Sequence, residues 1–155
     1  MPDEITQSLQ PELAPVKRQL VLPLSPVDAY ERIRHDPRAL FIDVRSTMEF
    51  LFVGHPIGAI HIPWIDEPDW TENPRFAAEV RKRLLGGVDD HDPPAIVLIC
   101  RSGKRTLAAG QALIDAGLPN PIYHIESGFE GPLNDQHQRS KVAGWRFAGL
   151  PWEQC

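Results

Sequence analysis

The sequence predicts an α/β domain with a largely parallel sheet covered by helices on both faces. Three observations predict it. Short apolar runs at 39–44 and 95–99 read as strands buried on both faces, and 121–125 as another strand. Stretches of helical periodicity open at Ser25, at Asn73-Pro74 and at Thr106. The two kinds of segment alternate along the chain, the order that builds βα units.

Taken in order, residues 1–22 hold prolines at 2, 11 and 15, mixed charge and little periodicity, and are expected to form an extended, partly disordered lead-in to a domain spanning 23–155. Ser25-Pro26-Val27-Asp28 then supplies a cap residue, a proline at the first helical position and an acid in the first turn. Val27, Tyr30 and Ile33 form this helix's apolar stripe, and Pro37 ends it. Residues 39–44 are a strand, and residues 58–63 a shorter one. In the next helix Phe76, Val80 and Leu84 recur every four residues and Gly86-Gly87 is the stop. The run 95–99 is the clearest buried strand. Residues 106–116 form a helix stopped by Gly117, and 121–125 another strand. Trp145, Phe147, Leu150 and Trp152 are expected to pack back onto the domain.

The bulk numbers narrow the class. With 155 residues and 42% hydrophobic composition, the chain suits one domain with a proper core. A net charge of -5 argues against nucleic acid or an anionic membrane as partner. The cysteines, Cys100 and Cys155, form neither a disulfide framework nor a zinc spacing. No apolar stretch reaches the roughly 18 residues of a membrane span, and residues 1–19 lack the basic start and apolar run of a signal peptide. The expectation is a soluble cytoplasmic protein with reduced thiols.

Chemistry concentrates in Cys100-Arg101-Ser102-Gly103-Lys104-Arg105-Thr106, between the best strand and a helix. Ligands of open α/β sheets bind at the carboxyl ends of strands. A tight loop there turns backbone N–H groups inward as an anion-binding nest, and the following helix adds its positive N-terminal end. Gly103 supplies the freedom for positive φ, and Arg101, Lys104 and Arg105 add positive charge. These surroundings favour thiolate over thiol, and the thiolate is the nucleophile. The loop therefore points to nucleophilic sulfur chemistry on an anion.

The same loop resembles the active-site loop of the rhodanese family. Residues 41–45 with Glu49-Phe50 resemble that family's first strand and its following signature. Residues 54–63 resemble its Gly-His…Gly-Ala…Ile-Pro stretch, and Gly149-Leu150-Pro151 its common ending. The resemblance covers about 22–152 and implies a rhodanese-like three-layer domain with a mostly parallel five-stranded sheet. It implies a sulfurtransferase in which Cys100 takes sulfur from a small anionic donor such as thiosulfate. A thiol or cyanide then accepts it, with no metal or organic cofactor. The N–H groups of residues 101–105 would cradle the transferred sulfur. Departures from the pattern are the order Pro56-Ile57, a longer polar stretch at 128–144 that would shape the mouth of the site, and Glu49. Tandem two-domain relatives carry at that last position an arginine that helps hold the donor, so the resemblance does not bring high thiosulfate affinity with it.

Blander readings stand beside these. An arbitrary free cysteine is most often an inert core residue. Arg101 and Lys104 could be ordinary surface cations. Arg105 has two readings: an anion-binding residue, or a loop-closing arginine bonded to backbone carbonyls or a buried acid. Thr106 most simply caps the helix. Asp43, Arg45 and Glu49 read as a structural ion-pair and hydrogen-bond network, because buried charges need partners. His55 and His61 read as structural, and Cys155 as incidental. Two rival functions remain. Phosphatases of this fold place five residues between cysteine and arginine, where four separate Cys100 from Arg105. A docking module would need no nucleophile, and its milder form is a relay that passes persulfide between proteins.

Overall fold

The two most apolar runs form the middle of the sheet. The computed structural model describes residues 19–84 and 91–155. In it, β2 (Leu40–Asp43) and β5 (Ile96–Ile99) pair in parallel, Leu40 opposite Ile96 and Asp43 opposite Ile99. β6 (Ile122–Ile125) continues the sheet beyond β5, and β1 (Val21–Leu24) and β4 (Ile60–His61) are its edges. The order is β1-β6-β5-β2-β4, and every pairing is parallel.

Successive side chains of a strand point to opposite faces, so one sheet feeds two cores. Ile42, Ile96, Leu98 and Ile122 pack with Phe76 and Val80 of α2 (Phe76–Arg83) and with Ala109 and Leu113 of α3 (Arg105–Asp115). Phe41, Val97, Ile99 and Ile125 pack on the other face with Ala29 of α1 (Pro26–His35), Phe129 and Trp145. The result is a three-layer α/β architecture, with a five-stranded parallel sheet between helices, as expected from the sequence. At the start of α1 the Asp28 N–H donates to Ser25 Oγ at 3.1 Å and Pro26 occupies the first turn, as the sequence predicts. None of the helices among the described residues is long and apolar enough to cross a membrane.

The structure departs from the sequence reading in four places. β1 crosses the predicted boundary between lead-in and domain, since Val21 and Leu22 already pair with Ile122 and Tyr123. Pro23 hid it, because proline reads as a strand breaker, yet an edge strand tolerates it. A second, antiparallel sheet joins β3 (His55–Pro56) to β7 (Trp152–Glu153), a pairing too distant in sequence to leave a local signal. Between β2 and β3 the chain makes a five-residue π-helical turn, Glu49–Val53. In the tail Trp145 is 1% exposed and Phe147 55%, so Phe147 does not join the core as predicted. The Gly86-Gly87 stop lies outside the described residues.

Trp145 ties the tail to the sheet. Its ring meets Tyr30 edge-on at 5.7 Å and Phe41 at 5.3 Å, and its Nε1–H donates to the Pro151 carbonyl at 2.8 Å. Trp145→Ala is expected to cost about 3–5 kcal/mol of unfolding free energy, through lost burial and the cavity left behind. A urea titration should show the midpoint falling with an unchanged slope; a shift equivalent to less than about 1 kcal/mol would place the tail outside the cooperative fold.

Candidate active site

Cys100 follows β5 at the carboxyl end of the sheet's central strand and is 1% exposed. The chain turns sharply there, with Gly103 at φ 99°. That turn brings the Gly103 N–H to Cys100 Sγ at 3.1 Å, the inward-facing donor that the loop composition predicts. α3 starts immediately afterwards at Arg105, so its N-terminal end faces the loop.

Segment 126–131 clamps the loop from above. The Phe129 N–H donates to the Cys100 carbonyl at 2.8 Å, and the Glu130 and Gly131 N–H groups donate to the Arg101 carbonyl at 3.0 and 3.1 Å. Gly128 makes the approach possible. Its φ is 64°, and a Cβ there would lie 2.4 Å from the Cys100 oxygen. Sequence reasoning did not single out Gly128, because the requirement arises only when two distant segments touch.

Arg105 closes the loop from the side. Its Nη1 and Nη2 donate to Glu49 Oε1 and Oε2 at 2.7 and 2.9 Å, a two-pronged pair at about one-fifth exposure. Of its two sequence readings, the loop-closing one describes its contacts. Burial alone would raise the Glu49 pKa, but the Arg105 hydrogen bond and charge, the Ser46 N–H and the charge of Arg45 outweigh it and hold it at about 2. The Arg105 pKa is raised in turn, chiefly by the hydrogen bond to Glu49.

Asp43, Arg45 and Glu49 do not form the single hydrogen-bonded network read from sequence. Arg45 Nη2 and Nε donate to Asp43 at 2.7 and 3.0 Å, both residues fully buried, while Glu49 takes Arg105. The Arg45 guanidinium also stacks 4.5 Å from the Phe129 ring centre, which joins β2 to the clamp. His61 lies 2.7 Å from the Arg45 carbonyl and stacks on Phe50, and His55 stacks on the same ring. Both histidines sit in the scaffold beside the loop.

Thr106 is not the helix cap. Lys104 occupies that position without a side-chain hydrogen bond, and Thr106 lies one residue inside α3. Its Oγ1 sits 3.7 Å from Cys100 Sγ, donates to the Gly103 carbonyl at 3.2 Å, and lies 3.1 Å from His124 Nδ1. Thr106 thus links the cysteine to a buried histidine that sequence reasoning missed. The available signal was a polar residue at the inward phase of β6. Burial lowers the His124 pKa against an opposing pull from Glu126.

Arg101, Ser102 and Lys104 point the loop's remaining chemistry outward. They line a cleft of about 300 Å³ together with Pro132, Leu133 and Arg139. The predicted substrate-binding residues therefore divide. Arg101, Ser102 and Lys104 face the cleft, Gly103 faces the sulfur, and Arg105 is held by Glu49. Among the described residues no group of His, Cys, Asp and Glu is placed to hold a metal ion.

Comparison with known proteins gives a consistent result. The family model for the Rhodanese-like domain matches residues 25–134. Rv0390 from M. tuberculosis is similar in structure, with a TM-score of 0.76 and 34% identity over 88% of this chain and 100% of that one. The polysulfide-sulfur transferase homodimer of Wolinella succinogenes superposes with a TM-score of 0.54 and 26% identity, covering 87% of this chain and 80% of that one. An uncharacterised protein of Rickettsia conorii is 29% identical over 130 residues, 81% of this chain and 91% of its own.

The Glu49–Arg105 pair has a pH signature. The folded Glu49 carboxyl titrates at about 2 against an ordinary 4.5, so its contribution is complete above the unfolded pKa and lost as pH falls through the folded one. Glu49→Gln is expected to cost about 2 kcal/mol at pH 7, between an exposed and a buried pair. The gap between wild type and variant should close between pH 4.5 and 2 in urea titrations. A gap independent of pH would mean that the charge of Glu49 contributes nothing.

Proposed function

The chain belongs to the rhodanese-like family, and on that premise we propose that it is a sulfurtransferase in which Cys100 carries sulfur as a persulfide. The observation that carries this reading is the Gly103 N–H on Cys100 Sγ, inside a loop whose free cations face a cleft.

The steps are redox-balanced substitutions at sulfur. The Cys100 thiolate attacks the outer sulfur of thiosulfate or of another persulfide donor. A new S–S bond forms to Cys100, the donor's S–S bond breaks, and sulfite or a thiolate leaves with the electron pair. The acceptor, cyanide or a thiol, then attacks the outer sulfur of the persulfide and expels the Cys100 thiolate. Backbone N–H groups and the α3 N-terminus stabilise the negative sulfur in both resting forms. The Cys100 thiol lies 3.7 Å from Thr106 Oγ1, which accepts its hydrogen bond in the resting protein. The reaction draws on no metal or organic cofactor. The W. succinogenes neighbour is a polysulfide-sulfur transferase, which supports the reaction class.

The loop's shape speaks against phosphatase chemistry. A phosphatase arginine must offer its guanidinium to the substrate, whereas both terminal nitrogens of Arg105 are engaged by Glu49. Hydrolysis of p-nitrophenyl phosphate by the wild type would overturn the assignment.

Thiocyanate production from thiosulfate and cyanide tests the reading directly. Cys100→Ser is expected to abolish it while the unfolding transition persists; residual turnover in the variant would sink the mechanism. Lys104→Ala separates charge from shape. Its donor KM should rise more at low ionic strength than at high, because salt already screens an exposed cation. A salt-independent rise would mean that Lys104 shapes the loop.

A further inference from the structure

The cleft beside the cysteine loop is larger and more varied than an inorganic anion requires. One wall is the loop itself, Arg101, Ser102 and Lys104, and the other is Pro132, Leu133 and Arg139 from the long polar stretch after β6. Among the described residues, three cations and no carboxylate line it. Arg101 and Lys104 have no ion-pair partner among the described residues. Like charges gathered without counter-charges focus a positive potential into the space between them. The cleft also has an apolar side, since Leu133 is 46% exposed beside Pro132. Its volume of about 300 Å³ falls at the lower end of pockets that hold small organic molecules.

Arg139 is built into place. Its Nη1 donates to the Gly131 carbonyl at 2.7 Å, and the Gly131 N–H donates to the Arg101 carbonyl at 3.1 Å. The guanidinium is thereby tied through a single residue to the cysteine loop. The surrounding turn is cross-braced: the Gln136 and Gln138 N–H groups donate to Asn134 Oδ1 at 2.9 Å, and Arg146 Nε donates to Ser140 Oγ at 3.0 Å. With Nη1 engaged, Nε and Nη2 remain as the two-donor edge of the guanidinium, the edge that takes a carboxylate through two parallel N–H···O bonds.

We propose that this cleft is a second anion subsite, which selects an organic thiol or its persulfide with a carboxylate remote from the sulfur. The sulfur end reaches the Cys100 loop, the carbon skeleton lies on Pro132 and Leu133, and the carboxylate pairs with Arg139. The inference rests on the sulfur-transfer reading above and deepens it. Transfer to such a thiol is balanced: its thiolate attacks the outer sulfur of the Cys100 persulfide, the protein S–S bond breaks, and the organic persulfide leaves while Cys100 returns to thiolate. The same steps reversed load Cys100 from an organic persulfide.

Two measurements test it, with glutathione as the probe thiol and its diethyl ester as the probe lacking carboxylates. In the first, S-methylglutathione is titrated calorimetrically into Cys100→Ser protein, where no sulfur chemistry occurs. Binding is expected, and adding Arg139→Gln should weaken it about tenfold, the loss of a charged hydrogen-bonded pair. Adding Leu133→Ser instead should weaken S-methylglutathione and its diethyl ester alike, a control in a residue too exposed to endanger the fold. In the second, persulfide-loaded protein transfers sulfur to glutathione or to the ester. The wild type should favour glutathione in kcat/KM, and Arg139→Gln should bring the ratio close to one. No binding at millimolar S-methylglutathione, or an affinity and a ratio untouched by Arg139→Gln, would overturn the subsite. Failure of the wild type with cyanide as well as both thiols would instead overturn the sulfur-transfer reading, and with it the substrate class.

Discussion

Two backbone carbonyls, those of Cys100 and Arg101, hold the rest of the site in register. They follow β5 with no strand partner ahead of them, and a carbonyl left without a donor away from water costs about 1–3 kcal/mol. Phe129, Glu130 and Gly131 supply those donors, which is possible only because Gly128 has no Cβ to strike the Cys100 oxygen. Once that clamp is closed, the loop has one way to turn, and the turn puts the Gly103 N–H on the sulfur. The Arg45 guanidinium over the Phe129 ring carries the constraint into the sheet, since Arg45 is itself fixed by Asp43. A chain of contacts thus runs from the middle of the sheet to the nucleophile.

Charge is then divided between structure and chemistry. The loop and its neighbours hold four cations, Arg101, Lys104, Arg105 and Arg139. Glu49 takes Arg105, so that one closes the loop and adds little net field. The remaining cations face the cleft without a carboxylate ion-pair partner among the described residues. At position 49 a glutamate neutralises Arg105, where an arginine would stand against it. On the proposed sulfur-transfer reading, donor recognition falls to Arg101, Lys104 and the segment after β6, which line the cleft.

Local signals made the central architecture legible. β2, β5 and β6 are mostly apolar runs, α1 announces itself through Ser25 and Pro26, and Cys100 stands out by the loop Arg101–Arg105 that follows it. What stayed hidden depends on contacts between distant residues. β1 carries a proline that only its edge position permits. β3 and β7 become strands only by finding each other. Thr106 looked like a cap because hydroxyls usually serve there, yet tertiary neighbours, the sulfur and His124, decide its contacts. Arg105 had two readings in sequence, and the choice between them needed the position of Glu49, which folding brings across from the end of β2. Arg139 carried no local signal at all, since its meaning comes from the cleft it completes.

The claim on which the whole account depends is that this loop holds a sulfur atom on Cys100. Intact-protein mass spectrometry after brief exposure to thiosulfate or inorganic polysulfide, followed by peptide mapping, tests it most directly. The expected result is a mass gain of one sulfur atom, located on Cys100, removed by cyanide and absent from Cys100→Ser. A protein that gains no mass with either donor, or gains it only on the exposed Cys155, would contradict it.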